Sequence, residues 1–309
     1  MYVTGLHQAG ARVVALSDST GTVGPALAAE LGCPAYAAAE EALDAAKPDF
    51  VIAFGRHDHM PRLCRLLLER GLPFLMEKPL GRSASEVRPL AELAARLQPP
   101  FAAVALPRRL STFYREVETA RQAGRLDRLC LVHARIVNGY PSRYPRWNCG
   151  WMLDPALSGG GPLRNLGIHG IDLFNVIVQE PVEVAWAQLS HRVYGLGIEE
   201  YAVVGLRSTG GVTGIVEAGY VYPTDLAGGD SEWRLAAGDL YINESGSSLA
   251  VATPGRRVEQ AVDLPASSYP GLVVDTLARF QRGEPPLATI ADCLAAVELI
   301  DQAYALARR

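Results

Sequence analysis

With 309 residues, 49% of them hydrophobic, the chain has enough apolar material for more than one core, and two domains are expected. A formal net charge of −4 gives no electrostatic case for nucleic acid or an anionic membrane surface as a partner. The five cysteines (Cys33, Cys64, Cys130, Cys149, Cys293) are scattered and odd in number, without a C-x-x-C pair, which argues against a disulfide framework or a metal site and for a reducing cytoplasm. No basic-then-apolar leader and no uninterrupted apolar run of spanning length is present, so the expectation is a soluble, cytoplasmic protein.

The amino-terminal third alternates apolar runs with helical periodicity. Arg12–Ser17 reads as a strand and Val23–Leu31 as a helix closed by Gly32; Glu40–Ala46 predicts another helix. Asp49–Phe54 is a buried strand, Met60–Arg70 a helix stopped by Gly71, Leu72–Met76 a strand, Ser85–Leu97 a helix and Phe101–Leu106 a strand. Strands and helices alternating at this length mean β-α-β units and a doubly wound, Rossmann-like parallel sheet.

Such a domain should open with a strand, a glycine-rich turn and a helix. This sequence opens instead with Met1-Tyr2-Val3-Thr4-Gly5-Leu6-His7-Gln8-Ala9-Gly10, which reads as the end of that first helix. The first strand and phosphate-binding turn are expected to be missing from an amino-terminally truncated domain. In the order 3-2-1-4-5-6 the missing strand is the central one. Two explanations stay open: a start placed too far downstream, or a protein that has given up its cofactor.

From Arg125 onward the pattern changes. Leu129–Asn138 is a long strand and Gly159–Val178 a glycine-led helix. Strand-like runs follow at Val182–Leu189, Tyr201–Arg207, Val212–Tyr222, Glu232–Ala237, Asp239–Asn243, Ser248–Ala252 and Val258–Leu264. Their short Gly-rich connections predict an open, predominantly antiparallel sheet with helices on one side. Helices at Leu272–Arg282 and Ile290–Ala307 close the chain. The expected domains are 1–108, for dinucleotide binding, and 109–309, for substrate and oligomerisation, including the closing helices.

Two constellations can carry chemistry. The strand ending at Met76 runs into Glu77-Lys78-Pro79-Leu80-Gly81 at the carboxyl edge of the parallel sheet, where open α/β sheets bind ligands. Proline stiffens the chain after Lys78, whose amine can reach a substrate there. The second is Gly159-Gly160-Gly161 followed by Asn165, His169 and Asp172, which share one helix face at i, i+4 and i+7. The glycines admit a close ligand or another backbone. His169 on its own reads as readily as a packing histidine.

Taken together, Glu-Lys-Pro, the triple glycine and Gly167-Ile168-His169-Gly170-Ile171-Asp172 resemble the glucose–fructose oxidoreductase / inositol dehydrogenase / rhizopine catabolism (Gfo/Idh/MocA) family. The likeness extends to Trp151-Met152-Leu153-Asp154-Pro155 and Gly283-Glu284-Pro285-Pro286-Leu287. It implies an NAD(P)-dependent oxidoreductase that moves hydride between a nicotinamide cofactor and a hydroxyl-bearing carbon of a sugar or cyclitol. His169 matches the family's general acid/base and Lys78 the lysine that contacts substrate. The position four before the histidine, commonly aspartate, is Asn165 here, which cannot take a proton. The alternative is a non-catalytic or regulatory relative that has lost cofactor binding.

On the cofactor side, Asp18 falls where an acidic residue binds the adenine ribose, favouring NAD, with NADP the alternative; its other reading is a turn cap. Gly55, His57, His59 and Glu77, with Lys78, are expected to line the nicotinamide side, with no metal at the histidine pair. On the substrate side, Arg108 and Arg109 resemble an arginine that the family places at the domain junction, with either able to face the active site and Arg109 assigned to the substrate set; the other reading is a solvated pair. Tyr140 and Trp151, in an aromatic stretch with Tyr144, Arg146 and Trp147, suit sugar stacking or an oligomer contact. Asn165 and Asp172 complete the expected substrate set. A homo-oligomer, dimer or tetramer, is implied by the resemblance.

Overall fold

Two kinds of hydrophobic periodicity in one chain produce two kinds of sheet, seen in a computed structural model that describes residues 2–225, 228–262 and 268–308. The first half runs α1 (Tyr2–Gln8), β1 (Leu16–Ser17), α2 (Gly24–Leu31), β2 (Ala35–Tyr36), α3 (Ala39–Ala46), β3 (Val51–Ala53), α4 (Met60–Glu69), β4 (Phe74–Met76), α5 (Ala84–Leu97) and β5 (Ala102–Val104). Gly32 and Gly71, both at positive φ, end α2 and α4 as the sequence predicts.

All the strand pairs of this half are parallel, but they form two separate ladders, β1–β2 and β3–β4–β5. Strands β1 and β3 therefore each keep one edge without a strand partner among the described residues, where the expected order places the central strand. Ladder pairing is what extends a strand. The runs expected over Arg12–Ser17 and Asp49–Phe54 accordingly pair over only Leu16–Ser17 and Val51–Ala53.

The second half begins with a helix that the sequence reading does not separate from its surroundings, α6 (Thr112–Gln122). Only Phe113, Val117 and Ala120 of its apolar face are buried, a thin stripe among Arg and Glu, while the Ser111 hydroxyl caps its start by accepting from the Tyr114 N–H at 3.1 Å. Then come β6 (Leu129–Asn138), α7 (Arg143–Arg146), α8 (Pro155–Ser158) and α9 (Ile168–Val178). Strands β7 (Val182–Ser190), β8 (Tyr201–Ser208), β9 (Thr213–Gly219), β10 (Gly229–Ala237), β11 (Leu240–Ser245), β12 (Ser248–Thr253) and β13 (Arg256–Ala261) follow. The expected continuation of β13 to Leu264 lies partly outside the described residues.

These strands form one sheet of eight in the order β13-β12-β11-β10-β6-β9-β8-β7. Every pair is antiparallel except β6–β9. Helix α9 lies close on one face: a Cβ at Gly170 would come within 2.9 Å of Ala134 Cβ, and one at Gly214 within 2.8 Å of the Phe174 ring. The other face carries a polar lattice in which Glu217 accepts from Tyr201 Oη and meets His133 Nε2, both at 2.8 Å.

Helices α10 (Tyr269–Arg282) and α11 (Ile290–Ala307) both reach back to the first half of the chain. Leu272, Val273 and Leu277 of α10 pack on Leu75, Phe101, Ala103 and Ala105 of the parallel sheet. Glycine at position 5 lets α1 close on α10, since a Cβ there would lie 2.7 Å from Val273 Cβ. Helix α11 packs on α5 as well as on α9 and β7. No described helix is long and apolar enough to cross a membrane.

Leu75 is 1% exposed beneath α10, whereas Val258 on β13 is 42% exposed. Leu75→Ala should lower unfolding free energy by about 2–5 kcal/mol, and Val258→Ala by no more than about 0.5 kcal/mol. Urea denaturation midpoints at unchanged m-value check both.

Candidate active site

Lys78 follows β4 at the sheet's carboxyl edge and is 8% exposed. Its Nζ donates to the main-chain carbonyl of Asn165 at 2.7 Å and to Asn165 Oδ1 at 2.9 Å. Because a lysine only donates, the amide oxygen must face it, so the amide nitrogen points away. Nδ2 donates to the hydroxyls of Tyr144 and Tyr220, both at 2.9 Å. Burial lowers the Lys78 pKa from the ordinary lysine range, opposed by the Glu77 carboxylate.

Asn165 lies in a π-helical turn, Leu163–Gly167, that leads directly into α9. The expected glycine-led helix from Gly159 is thus an irregular entry followed by a regular helix, and the wide turn is a conformation common at functional sites. His169 stands one turn further on. Its pKa is held well below the ordinary histidine value by burial first, then by the charges of Lys78 and Arg108. Its Nδ1 is buried with no partner among the described residues. The Arg108 guanidinium lies 4.8 Å from the centre of the Trp233 ring and 3.5 Å from Glu244 Oε1. The structure therefore gathers Lys78, Asn165 and His169 with Arg108 and Tyr144, all singled out in the sequence, and adds Tyr220. Tyr220 carries no local signal, being one aromatic at the end of a strand.

The three glycines make room for protein. A Cβ at Gly159 would meet the Arg82 carbonyl oxygen at 2.5 Å, one at Gly160 the Tyr304 hydroxyl at 2.1 Å, and one at Gly161 the Glu199 carbonyl oxygen at 2.3 Å. Glu199, 2% exposed, accepts from the N–H groups of Gly161 and Leu163 at 2.9 and 3.0 Å and from Tyr304 Oη at 2.8 Å. This buried carboxylate pins the entry of the turn that carries Asn165.

Arg109 and Asp172, both expected on the substrate side, are bonded to each other. Arg109 Nε and Nη2 reach Asp172 Oδ2 and Oδ1 at 3.0 and 2.6 Å, and Nη2 also lies 3.0 Å from Asp292 Oδ1. Nη1 donates to the Leu287 carbonyl at 3.0 Å. This forked pair ties the segment after β5 to α9 and α11, and the guanidinium has little left for a ligand.

On the cofactor side, the Asp18 carboxylate accepts from the N–H groups of Thr20, Val23 and Gly24 and from the Thr20 hydroxyl, at 2.6–3.0 Å. These bonds, the Thr20 hydroxyl first, lower its pKa, and they make it the cap of α2. Glu77 Oε1 accepts from the Tyr2 hydroxyl at 2.6 Å, a partner the sequence does not suggest. The Tyr2 ring stacks at 5.3 Å on Phe54, which is 59% exposed beside the exposed Gly55. His57 and His59 diverge. His57 is buried, its Nδ1–H donates to the Ser158 carbonyl at 2.7 Å, its ring meets Trp151 edge-on at 4.9 Å, and burial lowers its pKa to about 3. His59 is exposed, with Arg56 Nη2 3.1 Å from its Nε2. Tyr140 lines a cavity of about 440 Å³ with Pro141, Ser142, Leu153, Tyr194 and Leu196. The Phe54–Gly55 edge is exposed, and a Cβ on Gly55 would meet only Met60 Sδ at 3.9 Å, so the backbone there is open to a ligand.

A lysine delivered from the carboxyl edge of a parallel sheet onto a histidine-bearing helix, itself backed by a large mostly antiparallel sheet, defines a two-domain NAD-binding oxidoreductase fold. The profile described as "Oxidoreductase family, NAD-binding Rossmann fold" matches residues 3–103, and that of the "GFO/IDH/MocA C-terminal domain" matches 114–235. The chain belongs to the Gfo/Idh/MocA family.

Among curated proteins it is similar to inositol 2-dehydrogenase 2 of Saccharopolyspora erythraea, at 26% identity over 185 residues, 59% of this chain and 51% of that protein. The match thus spans about half the length of the curated relative. Among solved structures, an oxidoreductase from Agrobacterium radiobacter in complex with NAD+, L-tartaric acid and magnesium superposes at a TM-score of 0.84. It is 17% identical and the match covers 100% of this chain and 94% of that one. The WlbA dehydrogenase from Bordetella pertussis, in complex with NADH and UDP-GlcNAcA, gives 0.84 at 18% identity, covering 99% and 91%. Levoglucosan dehydrogenase, in complex with NADH and levoglucosan, gives 0.83 at 15% identity, covering 99% and 93%. At these identities the structures show a shared fold.

Asp172 is 1% exposed, so removing its partner strands a buried carboxylate. Arg109→Met should destabilise the protein by about 3–5 kcal/mol, read from its denaturation midpoint. A loss within about 0.5 kcal/mol would mean that the pair does not hold α9 in place.

Proposed function

We propose that this protein is a dehydrogenase of sugar-like substrates, moving hydride between NAD(P) and a hydroxyl-bearing carbon. The observation that carries the reading is the junction of Lys78, Asn165 and His169, brought together from the edge of the parallel sheet and from the turn that opens α9. Similarity to an inositol dehydrogenase supports it. A nicotinamide bound along the Phe54–Gly55 edge supplies the hydride acceptor. The chain's own residues handle the proton and the oxygen. His169, kept neutral by burial and by two neighbouring cations, takes the hydroxyl proton on its imidazole. Lys78, anchored by two hydrogen bonds, polarises the reacting oxygen as it becomes a carbonyl. Asn165 fixes the amine and shares no proton. The five free cysteines suit a reducing, cytoplasmic setting, and the open sheet face, with Trp186 48% and Tyr241 40% exposed, suits a homo-oligomer.

A second reading, a relative that keeps the fold without redox chemistry, has its own support. Asp18 and Glu77, the two cofactor-side carboxylates, are both engaged by donors of this chain. Fluorescence titration with NADH separates the two: saturable binding is expected, and its absence would retire the dehydrogenase reading. With binding established, Lys78→Ala should lower kcat by about 10²-fold or more while leaving NADH affinity nearly unchanged.

The neutral form of His169 is the working base, and its pKa is depressed. The acid limb of kcat/KM for oxidation should therefore fall below the ordinary value of about 6.5. A limb at or above that pH, or one unmoved in His169→Gln, would remove His169 from the proton step.

A further inference from the structure

Three arginines are buried among the described residues, Arg109, Arg143 and Arg164. Arg109 is paired with Asp172 and Arg164 with Asp301. Arg143 has no carboxylate within ion-pair distance among the described residues, although it is 2% exposed. Its guanidinium lies over the rings of Tyr144, Tyr220 and Trp147, at 4.8, 5.4 and 5.7 Å, and donates to the Gly139 carbonyl and, at 3.1 Å, to the Tyr144 hydroxyl. A buried charge without a counter-charge is costly, and stacking on aromatic faces offsets only part of that cost.

The cluster that Arg143 joins is built of donors. Lys78 Nζ donates to Asn165, and Asn165 Nδ2 donates to both phenols. Tyr144 Oη accepts from Asn165 and Arg143 together, which fills its acceptor capacity. In these bonds each phenol accepts and neither donates. At most one phenolic proton can be absorbed between the two rings, so at least one donor is left over. An aspartate at position 165 would bring a negative charge between Lys78 and Arg143. The asparagine that stands there brings none. Arg108 adds a third cation near His169, balanced by Glu244.

We propose that the substrate carries an oxyanion that seats against Lys78, Arg143 and the phenols of Tyr144 and Tyr220, so that this site takes acidic sugars or sugar phosphates in preference to neutral polyols. The inference rests on the preceding functional reading only in taking this cluster as the place where substrate binds. Carboxylate and phosphate share the needed chemistry: charge, and several acceptor oxygens for a surplus of donors.

Isothermal titration of the full chain with D-glucose, D-glucuronate and D-glucose 6-phosphate tests it without relying on turnover. At least one of the two acids should bind about 10-fold tighter than glucose or better, and the preferred acid tells carboxylate from phosphate. Asn165→Asp should weaken that acid by about 10-fold or more and lower the acid-over-glucose affinity ratio with it. Arg143→Met should lose the acid preference and Arg143→Lys should keep most of it, which separates the charge from the packing of the side chain. Glucose binding as tightly as both acids, no detectable binding of any of the three, or an acid affinity indifferent to Asn165→Asp would each overturn the proposal. Acid preference in a protein that fails to bind NADH would remove the dehydrogenase reading and leave this one in place.

Discussion

The candidate site depends on one contact, the pair of hydrogen bonds from Lys78 Nζ to Asn165. It joins the carboxyl edge of the parallel sheet to the turn that starts α9, and so sets the separation between the two halves of the site. Much of the surrounding packing holds those two ends still. The Glu199 carboxylate pins the backbone at Gly161 and Leu163, and the three glycines let Arg82, Tyr304 and Glu199 come close enough to do it. Below them, the fork from Arg109 to Asp172 locks α9 to the segment after β5. Residues that look like ligand contacts in the sequence are thus the supports of the contact that matters.

Electrostatics give the site its character. Lys78 and Arg108 flank a histidine that burial keeps neutral, Arg143 stands over the phenols beyond it, and the residue bridging lysine to phenols is an amide. Lys78 and Arg108 raise the cost of protonating His169, which favours its use as a base. The same cations favour a ligand that brings negative charge. Proton removal and anion preference are two consequences of one arrangement, with Asn165 at its centre.

The two ladders of the parallel sheet show how local sequence and tertiary context divide the work. Apolar runs and helix stops are legible, and α2, α4, α5 and α11 fall close to where periodicity puts them. Strand lengths are not, because a strand extends only as far as its neighbour pairs with it, and β1 and β3 each have one edge without a strand partner among the described residues. Helix α6 escapes notice because a surface helix with three buried apolar residues hardly differs in pattern from a polar connection. Helix α10 reads correctly as a helix. That it covers the parallel sheet rather than the sheet it follows in sequence depends on which apolar face lies within reach after folding.

The amino-acid sequence by itself determined the family, the two classes of sheet, and the pairing of Lys78 with His169 as candidate catalytic groups, because these rest on periodicity and on residue types at fixed spacing. Only the tertiary structure decided what each polar side chain does. Asp18 became a helix cap, Arg109 and Asp172 a strut, His57 a buried tie to Ser158, and Glu77 the partner of Tyr2. It also brought Tyr144, Tyr220 and Arg143 to Asn165, from segments 21, 55 and 22 residues away (165 − 144, 220 − 165 and 165 − 143). The physical reason is that a hydrogen bond or an ion pair is made by distance in space, and spacing along the chain constrains that distance only within a single helix or strand.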